Sequence, residues 1–105
     1  MNYRIMPDLT REKQDSKRAI RLIEKVSRKY FVGVSDVLGR SRIAEVQEPR
    51  NICYYLLHKK LGLRSVHVGR IMNKDHATVL SGARRIKGFC EFDVDYKKEI
   101  HDLLN

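Results

Sequence analysis

Apolar positions recur at helical spacing through most of the chain. Between Ser16 and Phe31, the residues Ala19, Leu22, Ile23, Val26 and Tyr30 stand at i, i+3, i+4, i+7 and i+11. One face of that helix is core, and the lysines and arginines opposite are solvated. Gly33 ends it, and Ser35 and Asp36 are placed to cap a short second helix through Val37 and Leu38. The segment Gly39 to Glu48, GRSRIAEVQE, keeps no period and reads as a loop. Pro49 opens the longest clear helix, because proline is tolerated in a first turn whose N–H groups are unbonded anyway. That helix runs to Leu61 with Ile52, Cys53, Leu56, Leu57 and Leu61 as its buried stripe, and Gly62 closes it. After Gly88, a last helix turns Phe92, Tyr96, Ile100, Leu103 and Leu104 toward the core, with Asp93 and Asp95 in an acidic first turn that suits the helix dipole. Residues 1–15, with Pro7 among them, show no clear period and read as an N-terminal arm, loose or adding a helical turn.

Between the two longer helical patterns, VHVGRIMNKDHATVLSGARR (Val66 to Arg85) reads as two short helices joined by a tight turn. Val66, Val68, Ile71 and Met72 are the apolar positions of the first, and Gly69 allows a neighbour to approach closely. Met72, Asn73 and Lys74 make the turn, and either Asn73 or Asp75 can cap the second helix. In that second helix Val79, Leu80, Ala83 and Ile86 form the stripe packed on a core. At about 100° per residue, Ala77, Thr78, Ser81, Arg84 and Arg85 project away from it, and Asp75 and His76 lie in the first turn. Periodicity leaves two readings of this pair: an ordinary helical hairpin with solvated arginines, or a helix-turn-helix, in which the first residues of the second helix meet base edges in the major groove and later basic residues meet phosphates. The expected fold is all-α: a compact bundle of about six helices containing a helix-turn-helix.

Composition sharpens this picture. At 105 residues the chain is long enough for one modest core, and 42% hydrophobic with 33% charged residues is globular rather than disordered. Lys and Arg number 22 against 13 Asp and Glu, a net charge of +9, which favours a polyanionic partner, nucleic acid first. With no apolar run of about 18 residues and no leader-like start, the expectation is a cytoplasmic chain that does not meet a membrane. Cys53 and Cys90 lack metal-ligand or redox spacing and read as small hydrophobes. His76 beside Asp75 invites a general-base reading, but neighbours in a helix do not face each other, and no nucleophile elbow, HExxH or phosphate loop accompanies them. No catalytic residue, metal or cofactor is expected.

The spelling KDHATVLSGARRI resembles the signature of the C-terminal DNA-binding domain of the bacterial replication initiator DnaA, close to GGRDHTTVxxAxRKI. Lys74, Asp75, His76, Thr78, Val79, Leu80, Ala83, Arg85 and Ile86 match it in place or by class. Pro49, Arg50 and Asn51 lie where that family has Pro-Arg-Gln at the start of a helix, and Gly39 to Arg42 lie where it has a basic loop. The likeness runs from roughly Ala19 to Leu104 and implies that residues 16–105 form a DnaA-type DNA-binding domain, of the Trp-repressor and DnaA domain IV kind. It departs from the family at Ala77, where a threonine hydroxyl is lost although a methyl can still pack on a thymine methyl, at Asn73 in place of two glycines, and at the shorter Asn51. Glu45 and Glu48 lower the charge beside the basic loop. With no phosphate loop present, the initiator's ATP binding is not carried over.

The resemblance implies sequence-specific binding of double-stranded DNA at DnaA-box-like sites, linked to initiation or regulation of replication. Base contacts would come from Arg42 in the minor groove, from Arg50 and Asn51 at a helix start, and from Asp75, His76, Ala77 and Thr78. Phosphate contacts would come from Arg40, Arg64, Ser65, Lys74, Arg84 and Arg85. Implied partners are duplex DNA and replication initiators sharing the same sites. Two other roles stay open: a transcriptional regulator of a phage or mobile element, and a protein-interaction module that keeps the fold.

Overall fold

The computed structural model describes residues 9–105, so the first eight residues of the expected arm lie outside it. Six α-helices follow in order: α1 (Leu9–Tyr30), α2 (Val34–Leu38), α3 (Ala44–Tyr55), α4 (Ser65–Met72), α5 (His76–Phe92) and α6 (Val94–His101). A single π turn, Leu56–Lys60, prolongs α3, and a 3₁₀ turn, Asp102–Leu104, ends α6. Among the described residues there is no strand, and no helix is long and apolar enough to cross a membrane.

The core takes most of the stripes read from the sequence, although Val66, expected on the apolar side of α4, is exposed. Ala19, Ile23 and Val26 of α1, Val37 of α2, Ile52, Cys53 and Tyr54 of α3, Leu56 and Leu57 of its π turn, Val68 and Met72 of α4, Val79 and Ala83 of α5, and Ile100 of α6 are fully buried. α3 and α5 form the most extensive helix–helix contact, and α4 packs on α5. Polar ties close the rest of the bundle. Lys29 of α1 pairs with Glu99 of α6 at 2.9 Å, Tyr96 of α6 donates its hydroxyl to Glu48 of α3 at 2.8 Å, and Tyr55 of α3 bonds the His101 ring at 2.8 Å.

Three helix boundaries differ from the sequence reading. α1 begins at Leu9 rather than Ser16, so Leu9 to Asp15 are helical and not a loose arm. Once the packed half of a helix is nucleated, each further residue adds a hydrogen bond without needing an apolar face. α3 begins at Ala44, which shortens the loop to Gly39–Ile43 and puts Pro49 inside the helix. Ala44, Glu45, Gln47 and Glu48 are good helix formers, Glu45 favours the positive helix start, and Val46 is buried; together these outweigh the hydrogen bond that Pro49 cannot make. α5 passes through Gly88 and ends at Phe92. Carrying the helix on places Cys90, four residues past Ile86, on the buried face and leaves Phe92 off it. Phe92 is 92% exposed, contrary to its expected place in the core.

Candidate nucleic-acid interface

The turn between α4 and α5 is set by backbone geometry. Asn73 adopts the left-handed conformation (φ 58°, ψ 48°) that asparagine tolerates better than most residues. The Lys74 amide then donates to the Gly69 carbonyl at 2.7 Å. A Cβ on Gly69 would run into the Lys74 carbonyl oxygen, so only glycine lets the chain fold back this tightly. Asn73 therefore closes α4, and Asp75, in extended conformation, holds the N-cap position of α5. The Asp75 carboxylate makes no capping bond. Its Oδ1 lies 3.4 Å from Nδ1 of His76, with the two side chains 67% and 57% exposed. Adjacent residues meet here because Asp75 stands just outside the helix. Both side chains and the unbonded N–H groups of the first turn open to solvent at one point.

Along α5 the two faces separate as the periodicity demands. Val79, Gly82, Ala83, Ile86 and Cys90 are buried, whereas Ala77, Thr78, Ser81, Arg84 and Arg85 are exposed. The Arg85 guanidinium lies 5.5 Å from the centre of the Phe89 ring, a cation–π contact that keeps the arginine against the helix surface. Arg85 and Arg42 both line a cleft of about 710 Å³ between the start of α3 and the end of α5, which brings the loop arginine beside the outward face of α5.

The loop Gly39–Ile43 presents Arg40 and Arg42 outward. Its backbone is held from within by two cations. Arg50 is only 4% exposed. Its Nε donates to the Val37 carbonyl at 2.9 Å, Nη1 to Ser41 at 2.8 Å and Nη2 to Asp36 at 2.7 Å. Arg50, expected among the base contacts, has its side chain turned into the protein, where it holds the end of α2 and the loop. Lys74 is half-buried, and its Nζ donates to the carbonyls of Leu38 (3.1 Å), Gly39 and Met72 (3.4 Å). Burial, with Arg50 and Arg40 nearby, lowers its pKa from the ordinary lysine value.

The remaining candidates fall in three places. Arg64 is exposed at the N-cap position of α4, and Ser65, half-buried, is its first residue. Asn51 is half-buried where α3 crosses Gly82 of α5. Asp93, weighed with Asp95 as an acidic pair, caps α6 by accepting from the Tyr96 amide at 3.0 Å. Arg70, which the sequence reading passed over, is exposed and lines a cleft of about 450 Å³ with Val66, Asn73, Asp75 and His76. Its place three residues before the turn at Asn73 was the available signal.

Comparison with known proteins places these features in a lineage. The family described as bacterial DnaA protein helix-turn-helix matches residues 20–86, more than half of the chain. The chain is 38% identical over 99 residues to the chromosomal replication initiator protein DnaA of Rhodopseudomonas palustris (strain BisB5), covering 91% of this chain and 21% of that protein. It is 35% identical over 83 residues to DnaA of Mycoplasma pneumoniae, covering 79% of this chain and 19% of that protein. The chain thus spans about a fifth of the length of the curated relatives it matches. Among solved structures, a replication initiator DnaA bound to AMPPCP and single-stranded DNA superposes with a TM-score of 0.74 at 24% identity, over 90% of this chain and 29% of that one. At that identity the likeness is one of fold.

Proposed function

Since this chain belongs to the bacterial DnaA helix-turn-helix family, we propose that it binds double-stranded DNA sequence-specifically, at sites like those of the initiator, in the initiation or regulation of replication. The observation that carries the reading is the shared outward face of α5 and the Gly39–Ile43 loop, where exposed polar residues and arginines stand side by side on a protein of net charge +9.

α5 enters the major groove with its N-terminal turn foremost. Asp75 accepts from a cytosine amine, His76 bonds or stacks at a base edge, the Ala77 methyl packs on a thymine methyl, and Thr78 bonds a base or phosphate. Arg42 reaches from the loop into the adjacent minor groove, whose negative potential attracts a guanidinium. Arg40, Arg84 and Arg85, with Arg64 and Ser65 at the start of α4, take phosphates and set the register. Asn51 touches DNA only at the margin of the α3–α5 crossing, and Arg50 acts from inside. Other initiators enter as competitors for the same duplex sites.

The test is selection from a pool of randomised duplexes. The reading expects enrichment of one compact motif, with His76→Ala and Ala77→Gly relaxing different positions within it. A pool that stays random while the protein still retains DNA would reduce the activity to phosphate contact.

A further inference from the structure

We propose that Lys74 is a positioning residue that locks the Gly39–Ile43 loop to the helix-turn-helix, so that Arg42 and the start of α5 meet DNA as one preset unit. This inference rests on the DNA-binding reading above. An ammonium group has three donors and no acceptor. Those of Lys74 face three backbone carbonyls: Leu38 and Gly39 at the end of α2, and Met72 at the end of α4. One nitrogen therefore ties together the C-terminal ends of two helices, where carbonyls lack helical partners and the dipole favours a cation. No donor is left for a phosphate, which separates this role from a backbone contact to DNA.

Arg50 grips the same segment from the α3 side through Asp36, Val37 and Ser41. Between them the two cations draw in five carbonyls from Asp36 to Ser41, and the side chains of Arg40 and Arg42 are left facing out. Among the described residues, Lys74 is the side chain that hydrogen-bonds this loop from the turn that launches α5, because Lys74 is itself in that turn, directly before Asp75. The lowered pKa of Lys74 fits an ammonium taken partly out of water and set near Arg50 and Arg40.

Lys74→Met keeps the aliphatic stem and removes the donors. In the free protein, limited trypsin digestion followed by mass spectrometry should show cleavage after Arg40 and Arg42 about tenfold faster than in the wild type, because cleavage follows the population of the opened loop. With DNA, Lys74→Met should lower preference for a selected site over scrambled duplex while leaving the salt dependence unchanged. Its effect should be non-additive with that of Arg42→Ala, as for residues joined through one network. A phosphate contact would instead weaken all duplexes alike and reduce the salt slope by about 0.9. Wild-type cleavage rates in Lys74→Met would overturn the lock whatever the DNA result. Failure of the wild type to prefer any duplex would sink the DNA reading and leave the protease arm to judge the lock. Should Lys74→Met not fold, Lys74→Gln, with two donors, should show a smaller acceleration in the same digestion, and no acceleration overturns the proposal.

Discussion

Gly82 of α5 and Asn51 of α3 sit so close that a Cβ built on the glycine would lie 2.5 Å from the asparagine Oδ1, and equally close to Cδ2 of Tyr54. α5 is therefore seated on α3 at a point where only a hydrogen fits. Gly82→Ala should force the helices apart and destabilise the protein by about 1–3 kcal/mol, the usual range for overpacking. Urea denaturation measures it, and a variant as stable as the wild type would mean that the crossing is looser than described.

Arg50→Met should unfold more readily than the wild type, and for a reason unrelated to DNA. It strips the charged partner from the carbonyls of Asp36, Val37 and Ser41 at a site that is only 4% exposed. Leaving such acceptors unsatisfied costs about 3 kcal/mol or more. Thermal unfolding reads this directly. An unchanged Tm with lost preference at a single base pair would restore Arg50 as a base-reading residue.

Tyr54 carries the opposite expectation. Its ring is fully buried and, among the described residues, its hydroxyl has no hydrogen-bond partner. Tyr54→Phe removes an oxygen that gains nothing from its surroundings, so stability should stay level or rise by up to about 1 kcal/mol. A marked loss in a urea titration would show that the hydroxyl has a partner after all.

Stability should also fall as the solution is acidified from neutrality. His101 bonds Tyr55 at 2.8 Å, and burial, with Lys60 and Lys97 nearby, pulls its pKa below the ordinary histidine value despite Asp102. A group harder to protonate when folded favours the folded state while neutral. That contribution is present above about pH 6.5, the unfolded histidine value, and is lost as pH drops through it toward the folded pKa. Urea titrations between pH 5 and 8 should show a decline that is shallower in His101→Gln. Parallel curves for the two proteins would assign the pH dependence elsewhere.

Much of this architecture was legible in the residue pattern, because a helix that buries one face must write its period into the sequence. The stripes Ala19–Leu22–Ile23–Val26 and Val79–Ala83–Ile86 are the core, and the outward set Ala77, Thr78, Ser81, Arg84 and Arg85 is exposed. The helix ends were less legible. Pro49 and Gly88 are local breakers that a packed helix overrode, and Leu9 to Asp15 extend a helix without needing an apolar stripe. For Arg50 and Lys74 the resemblance implied contacts to DNA, while the structure turns their donors inward. A cation's destination depends on carbonyls brought to it by tertiary folding, here from α2 and its loop, and no spacing rule records them.

The central claim is that the face of α5 and the Arg42 loop read sequence. Fluorescence anisotropy with a duplex carrying the initiator's consensus box and a scrambled duplex, across a salt series, tests it most directly. The account predicts at least about tenfold tighter binding to the box, some 1.4 kcal/mol, persisting as salt rises. Equal binding to both duplexes that fades steeply with salt would contradict sequence reading, and no binding at low salt would contradict the DNA interface altogether.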